Sequence, residues 1–334
     1  MDSIYWIDMK LVATCSRDKI IKIWQLQDSN ALKLLSSIKI HTSYINSICF
    51  CIVNQQLILY SGDSEGNILI SDPLAGNLIK YIKKAHSDNV CCLNRASGNR
   101  ILSSSWDGHG KLWKFDEVEQ EFMVSTLPCW DLMEYGPDFY LAACGDGTVK
   151  MIGLDGVCRV FSGHKCCVRK LVILGSNRDL FFSVGNDGLI CCWNVQSGLV
   201  FAIQGHTSYI YSIFESCNYL VTVSEDCMAK LWKFENSNLH LAGFVSLCED
   251  SIWDGIFFSD ATILAGSSGK LWTIPSTSRF GTYCDGDQQL SESKLMFCLP
   301  KIFDAAPKGY TDNTSCLLKE SSNTCKVLFV QIYF

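Results

Sequence analysis

The stretch Gly205-His206-Thr207-Ser208-Tyr209-Ile210-Tyr211-Ser212-Ile213-Phe214, continued by Tyr219-Leu220-Val221-Thr222-Val223-Ser224-Glu225-Asp226 and Ala229-Lys230-Leu231-Trp232, decides how this chain folds. Ile210–Phe214 alternates in character, Tyr219–Ser224 follows a short turn, and Ala229–Trp232 alternates again after Glu225-Asp226. Each piece has strand length, is rich in β-branched and aromatic residues, and is bounded by turn chemistry. Elsewhere Asp107-Gly108, Asp146-Gly147 and Asp187-Gly188 supply the Asp-Gly pairs that tight hairpins require. No segment shows sustained helical spacing of its apolar residues.

The unit repeats. His41, His86, His164 and His206 open blocks, and Trp24, Trp113, Trp193, Trp232 and Trp272 close them, on a period of roughly 40–45 residues. That is the length of a four-stranded propeller blade. Blades are read at 1–38, 39–84, 85–126, 127–163, 164–203, 204–246 and 247–275, and the second, fourth and seventh are degenerate. Ser71 and Ile152 stand where tryptophan would, and Gly266-Ser267-Ser268-Gly269 replaces an aspartate turn. The expected fold is all-β: a seven-bladed β-propeller over residues 1–275, followed by a tail, 276–334, in which Ser, Thr, Asp and Asn cluster.

The order Gly-His, then Ser-x-Asp, then Trp six residues after the Asp resembles the WD40 repeat. Ser16-Arg17-Asp18 with Trp24, Ser105-Trp106-Asp107 with Trp113, and Ser224-Glu225-Asp226 with Trp232 carry the resemblance; Asp187 with Trp193 carries it less fully. It implies two structural tetrads, His86–Ser105–Asp107–Trp113 and His206–Ser224–Asp226–Trp232, whose hydrogen bonds tie the strands of a blade together. The chemistry agrees, because a buried carboxylate must be paired and a buried indole N–H needs an acceptor. Asp18, Asp107, Asp187 and Asp226 are therefore expected to be buried and hydrogen-bonded.

Composition narrows the function. Hydrophobic residues at 48% and charged residues at 19% permit a large core and exclude a disordered chain. A net charge of -6 argues against attraction to nucleic-acid phosphates or anionic membranes through a general field. Nineteen cysteines raise the question of a disulfide framework, but they sit in apolar stretches such as Ile190-Cys191-Cys192-Trp193 and read as small buried hydrophobes. No CxxC pair supports a zinc site, and neither a metal nor a cofactor is expected. The start, Met1-Asp2-Ser3-Ile4-Tyr5-Trp6, lacks the pattern of a signal peptide, and no apolar run approaches the ~18 residues that span a bilayer. A soluble, cytoplasmic and nuclear monomer is expected.

A WD40 ring usually closes through an N-terminal strand that joins the last blade. This sequence begins at the inner strand of its first blade, so either a leading strand precedes it or the tail closes the ring. Ser315–Lys319 and Lys326–Tyr333, separated by Glu320-Ser321-Ser322-Asn323, are read as a hairpin covering the seventh blade or the adjoining seam.

Several blocks are more specific. Ser16-Arg17-Asp18-Lys19 through Ile23-Trp24, Ile45-Asn46-Ser47-Ile48-Cys49, Ser104-Ser105-Trp106-Asp107, Asn186-Asp187-Gly188-Leu189-Ile190, Ser251-Ile252-Trp253-Asp254 and Ala265-Gly266-Ser267-Ser268 resemble the phospholipase A2-activating protein family. Members of that family are ubiquitin-binding adaptors with a propeller, a small ubiquitin-binding domain and a helical repeat domain that docks the segregase AAA ATPase. The resemblance covers 1–275; Leu299-Pro300 through Lys308-Gly309 and Ser315-Cys316-Leu317-Leu318-Lys319 are faintly similar to the opening of the small domain. It implies ubiquitin or ubiquitylated proteins as partners and, through the helical domain, the ATPase; no counterpart of that helical domain is read in this sequence. The alternative is a WD40 scaffold of a transport coat or of RNA processing, without ubiquitin affinity.

The face carrying the loops that lead into the innermost strands is the expected binding surface. Its candidates are Arg17, Tyr44, Asn46, Trp106, Trp130, Arg169, Asn186, Tyr209, Tyr211, Glu225 and Trp253, in which aromatic and arginine hot-spot types are prominent. The bland reading is that Trp130 and Trp253 fill gaps between blades. Gly62-Asp63-Ser64-Glu65-Gly66 fits the GxSxG of a hydrolase, yet it falls where a hairpin turn belongs and no parallel α/β pattern follows, so no catalytic residue is assigned. Asn313-Thr314-Ser315 is a glycosylation sequon only for a secreted chain, and His109 and His240 read as surface or packing residues.

Overall fold

The structure, a computed structural model, describes residues 10–175, 177–216, 219–247, 250–257, 261–275 and 328–330. Two compact units divide the chain, Met1–Ser162 with Cys325–Phe334, and Gly163–Thr324. In the first unit β1 (Leu11–Cys15), β2 (Ile21–Leu26) and β3 (Leu32–Ile38) begin one sheet. A second contains β4 (Ile45–Val53), β5 (Gln56–Asp63), β6 (Ile68–Ser71) and β7 (Leu78–Ile82). β8 (Val90–Ala96), β9 (Arg100–Ser105), β10 (His109–Lys114) and β11 (Glu117–Met123) form a third. A fourth comprises β12 (Cys129–Gly136), β13 (Phe139–Cys144), β14 (Thr148–Gly153) and β15 (Gly156–Ser162).

The second unit holds β16 (Val168–Ile173), β17 (Leu180–Gly185), β18 (Leu189–Asn194) and β19 (Gly198–Gln204) in one sheet. β20 (Ile210–Ser216), β21 (Tyr219–Ser224), β22 (Met228–Glu235) and β23 (Asn238–Ser246) form the next. β24 (Ile252–Phe257), β25 (Ala261–Gly266) and β26 (Leu271–Pro275) form the last. Every pairing of chain neighbours is antiparallel, and the fold is a seven-bladed WD40 β-propeller.

Most second strands read as continuous apolar runs because both of their faces are covered. In β9, Ile101 packs with Ile58, Tyr60 and Val90, whereas Leu102 packs with Leu132, Tyr140 and Ile152 of the following sheet. Adjacent residues on a strand point to opposite faces, so one strand serves two cores. In the second unit, Phe182, Val184 and Ile190 pack with Ile210, Ile213 and Trp232, and Val221, Val223 and Ala229 pack with Ile252, Leu264 and Trp272. The outer strands β7, β15 and β19 instead leave Leu78, Val160 and Leu199 exposed.

Cysteine completes these cores. Cys129, Cys144, Cys191 and Cys192 are buried thiols, and burial pushes Cys144, Cys191 and Cys192 up to about 12.

Of the tail, three residues are described. β27 (Leu328–Val330) pairs with β1 of the first blade, Ala13 opposite Val330 and Cys15 opposite Leu328. It takes the place that β4, β8 and β12 hold in the other three sheets of this unit. β1 is buried along its whole length, so an open edge there would strand backbone N–H and C=O groups away from water. Ser315–Lys319, the other arm of the expected hairpin, lies outside the described residues.

Candidate functional site

Two recurring devices place side chains on the loop face. The first is the buried hydrogen-bonded chain of each blade. In the sixth blade the Trp232 indole N–H donates to Thr222 Oγ1 at 2.8 Å, and His206 Nε2 lies 2.8 Å from the same hydroxyl. His206 Nδ1 is 2.9 Å from Asp226. Because an indole can only donate, the hydroxyl accepts from it and gives its own proton to Nε2, leaving the Nδ1 proton for the carboxylate. Burial holds His206 below the usual histidine range, which suits this neutral ring. Burial alone would raise the Asp226 carboxyl, but its bonds with His206 and from the Thr207 N–H outweigh that and hold it low.

The same chain joins His86, Ser103, Asp107 and Trp113, and again His164, Ser183, Asp187 and Trp193. Two expectations are corrected here. The shared hydroxyl comes from Ser103 and Thr222, not from Ser105 and Ser224. Ser105 and Ser224 lie two residues further along, where their hydroxyls accept the N–H of Asp107 and Asp226 and cap the turn. Asp18 is exposed, and its carboxylate accepts only the nearby Ile20 N–H among the hydrogen bonds of the described residues. Among the described residues no histidine bonds Asp18.

Sequence reasoning missed a further chain in the second blade: His41 bonds Ser61 at 2.6 Å and Asp63 at 3.2 Å. Its carboxylate comes two residues earlier in the turn than in the other blades, with Glu65 exposed at the usual place. In the seventh blade the Gly266-Ser267-Ser268-Gly269 turn is tied from the opposite side, by Asp250 accepting from both serine hydroxyls and from the Ser268 N–H.

The second device lies where the turn meets the innermost strand. In six blades the turn residue donates its N–H to the carbonyl preceding that strand: Ser64 to Tyr44, Trp106 to Asn89, Gly145 to Pro128, Asn186 to Cys167, Glu225 to Tyr209, and Ser267 to Ser251. Each of those strands then carries a β-bulge at its second residue: Asn46, Cys91, Trp130, Arg169, Tyr211 and Trp253 are left without a register partner. A bulge bends the strand and re-aims its extra side chain. Cys91 was not among the sequence candidates; its place after Val90, as Asn46 follows Ile45, was the available signal.

In the second unit these devices build a continuous stack. The Tyr211 and Trp253 rings lie 4.1 Å apart, inclined by 13°. The Arg169 guanidinium stands 5.9 Å from the Tyr211 ring centre, and its Nε–H donates to Asn186 Oδ1 at 2.7 Å. Glu225 accepts the Ser208 hydroxyl at 2.5 Å, and Tyr209 is half-buried beside the bulge. In the first unit Trp106 meets Trp130 edge-on at 5.7 Å, Arg17 stands over the Tyr44 ring, and Asn46 donates to Asn89 at 2.6 Å. Tyr44 is 50% exposed, whereas Trp106 and Trp130 are half-buried.

The GxSxG serine, Ser64, sits in the hairpin turn between β5 and β6, with a strand following it rather than a helix. Ser61–His41–Asp63 has the composition of a hydrolase triad, but Ser61 is wholly buried in the sheet. Among the described residues, no three His, Cys, Asp or Glu side chains gather as a metal centre would need.

Comparison with known proteins agrees with this construction. The family described as WD domain, G-beta repeat matches residues 2–25, 77–114, 156–194 and 197–233. The chain is 31% identical, over 59% of its length, to the ubiquitin fusion degradation protein 3 homolog of Caenorhabditis elegans. It is 21% identical, over 78% of its length, to the ubiquitin homeostasis protein lub1 of Schizosaccharomyces pombe. It spans 24% and 36% of those two proteins' own lengths. The solved WD40 β-propeller domain of Doa1 matches with a TM-score of 0.70 and 27% identity, covering 81% of this chain and 94% of that one. Fold and site together define a WD40-repeat β-propeller that presents side chains through bulged inner strands. Within that class, the chain is similar to ubiquitin-homeostasis WD proteins over the part of their length that it spans.

Proposed function

We propose that this chain is a non-catalytic, ubiquitin-binding adaptor module of ubiquitin-dependent protein degradation and ubiquitin recycling, working in the cytoplasm and nucleus. The observation that carries the reading is the Arg169–Tyr211–Trp253 stack, held on the loop face of the second unit by three successive bulges. Stacked aromatics with an arginine are the hot-spot chemistry of protein recognition. The names of the two curated relatives supply the partner class, ubiquitin or ubiquitylated proteins. The buried Ser-His-Asp chains support a non-catalytic role, because their hydroxyls are spent on histidine and indole inside the sheet. Titration with ubiquitin, by NMR or calorimetry, tests the reading. Tyr211→Ala combined with Arg169→Glu should abolish binding with the thermal melt nearly unchanged. A double variant that binds like the wild type places the site elsewhere, and a wild type that never binds removes the proposal. Trp106→Ala tests the first unit's face separately.

A further inference from the structure

The residue just before each inner-strand bulge stands opposite the residue that ends the second strand. In the third blade this pair is Val90 and Ser105, and in the fifth it is Val168 and Gly185. The fourth blade holds cysteine at both places, Cys129 opposite Cys144. The Gly145 N–H donates to the Pro128 carbonyl at 2.8 Å, one residue outside the pair, so Cys129 and Cys144 form a non-hydrogen-bonded pair. At such a pair the side chains are closest and the Cα atoms lie about 4.5 Å apart, inside the span of about 4.4–6.8 Å that a disulfide bridges. Both are free thiols, and both belong to the core that holds Leu132 and Ala142, so they share one face of the sheet. Cys129 donates to the Asp131 carbonyl at 3.5 Å and Cys144 to the Ala142 carbonyl at 3.8 Å, weak sulfur bonds that a side-chain rotation gives up at small cost.

The geometry points to a redox modification site: Cys129 and Cys144 close into a cross-strand disulfide when a hydroperoxide oxidises them. One sulfur attacks the peroxide, an S–O bond forms as the O–O bond breaks, and the departing hydroxide takes the thiol proton and leaves as water. The second sulfur then attacks the sulfenic sulfur, the S–S bond forms as the S–O bond breaks, and a second water leaves. Two electrons pass from the sulfurs to the peroxide. Trp130 is the bulged residue between Cys129 and Asp131, and its ring meets Trp106 on the loop face. The bridge fastens β12 to β13 beside that ring pair, so the state of the thiols acts on the loop face of the first unit. Burial pushes Cys144 up to about 12 and Cys129 well above the usual thiol range. The reactive thiolate is scarce in the closed sheet, so bridging is slower than oxidation of an exposed thiol such as Cys158. The pair answers sustained oxidant rather than a brief pulse.

The test exposes the folded full chain to hydrogen peroxide for increasing times, blocks the remaining thiols by alkylation, and maps disulfides by mass spectrometry of an unreduced digest. Peptides carrying Cys129 and Cys144 should appear joined, later than Cys158 is oxidised and sooner at higher pH, and dithiothreitol should separate them. Cys144→Ser and Cys129→Val install what the third blade carries at these places, so both variants should fold and neither should form the joined peptide. The bridge closes a loop of about fifteen residues, so oxidised wild type should melt several degrees above oxidised Cys144→Ser, and reduction should remove the difference. If both cysteines of the folded wild type remain alkylatable after prolonged exposure, or either is found joined to a different cysteine, the site is overturned. Coincident melts of the oxidised proteins would overturn the claim that the bridge fastens the two strands.

Discussion

The Thr222 hydroxyl accepts from an indole and donates to an imidazole, so one oxygen satisfies two rings that cannot reach water. Replacing it with the near-isosteric valine leaves the Trp232 N–H and His206 Nε2 unmet. Thr222→Val should cost about 2 kcal/mol or more, since each buried group left unsatisfied costs roughly 1–3 kcal/mol. In the third blade Ser103→Ala should lower the melting temperature more than Ser105→Ala does, because Ser103 serves two buried rings whereas Ser105 bonds only backbone, the Asp107 N–H and the Asp88 carbonyl. Equal losses would contradict the assignment of the shared hydroxyl. Acid acts on the same chains. Asp63, Asp107 and Asp226 are held below their usual carboxyl range despite burial, through bonds with His41, His86 and His206 and from backbone N–H groups. A carboxyl lowered in the folded state stabilises the fold above its unfolded value of about 4, and that contribution is lost as pH falls toward the folded value. His206 is also lowered, so its contribution is present above about 6.5 and fades below it. The melting temperature should therefore fall on acidification, gently below about pH 6.5 and steeply below about pH 4. A melt that rises between pH 7 and pH 5 would refute this.

At the scale of the strand and its turn, the Asp-Gly hairpins carry a constraint that no other residue meets. Gly108 has φ +79°, and a Cβ there would lie 2.0 Å from the carbonyl oxygen of Ser125, just before the next blade. Gly108→Ala therefore combines a left-handed backbone penalty of about 1–2 kcal/mol with a steric overlap against backbone that cannot swing aside. Gly136 has nothing within 4 Å of the same added atom and no positive φ, so Gly136→Ala should leave the melt within a degree or two, as surface changes commonly do. Denaturation midpoints for the two variants would settle the comparison. The bulges are equally local in form: they cost ladder bonds and leave an extra side chain at the same position in six blades.

For the molecule as a whole, β27 is a structural part of the first unit, because it covers the inward edge of β1. Deleting residues 325–334 should lower the melting temperature by several degrees and favour association through the exposed edge. Calorimetry with size-exclusion chromatography would detect both. A truncated chain that melts identically and stays monomeric would show that the pairing contributes nothing.

Strand positions, the blade period and the count of seven were legible from residue order because their causes are local. Asp-Gly turns, β-branched runs and the histidine-to-tryptophan spacing act over a few residues, and the repeat multiplies the signal. The bulged positions Asn46, Trp130, Arg169, Tyr211 and Trp253 were among those read from position within the repeat, and Cys91 was not. Hydrogen-bond partners were not legible. Ser103 and Ser105 share a face of β9, and only the registry with β10, which puts Trp113 opposite Ile101, brings the indole to the first of them. Asp18 has the spacing of its buried counterparts, and only the folded chain shows it exposed, with no histidine bonded to it among the described residues. The site of β27 depended on which edge most needed covering. That is a property of burial on both faces of β1, and burial is decided by the sheets packed around it rather than by residues beside it in the chain.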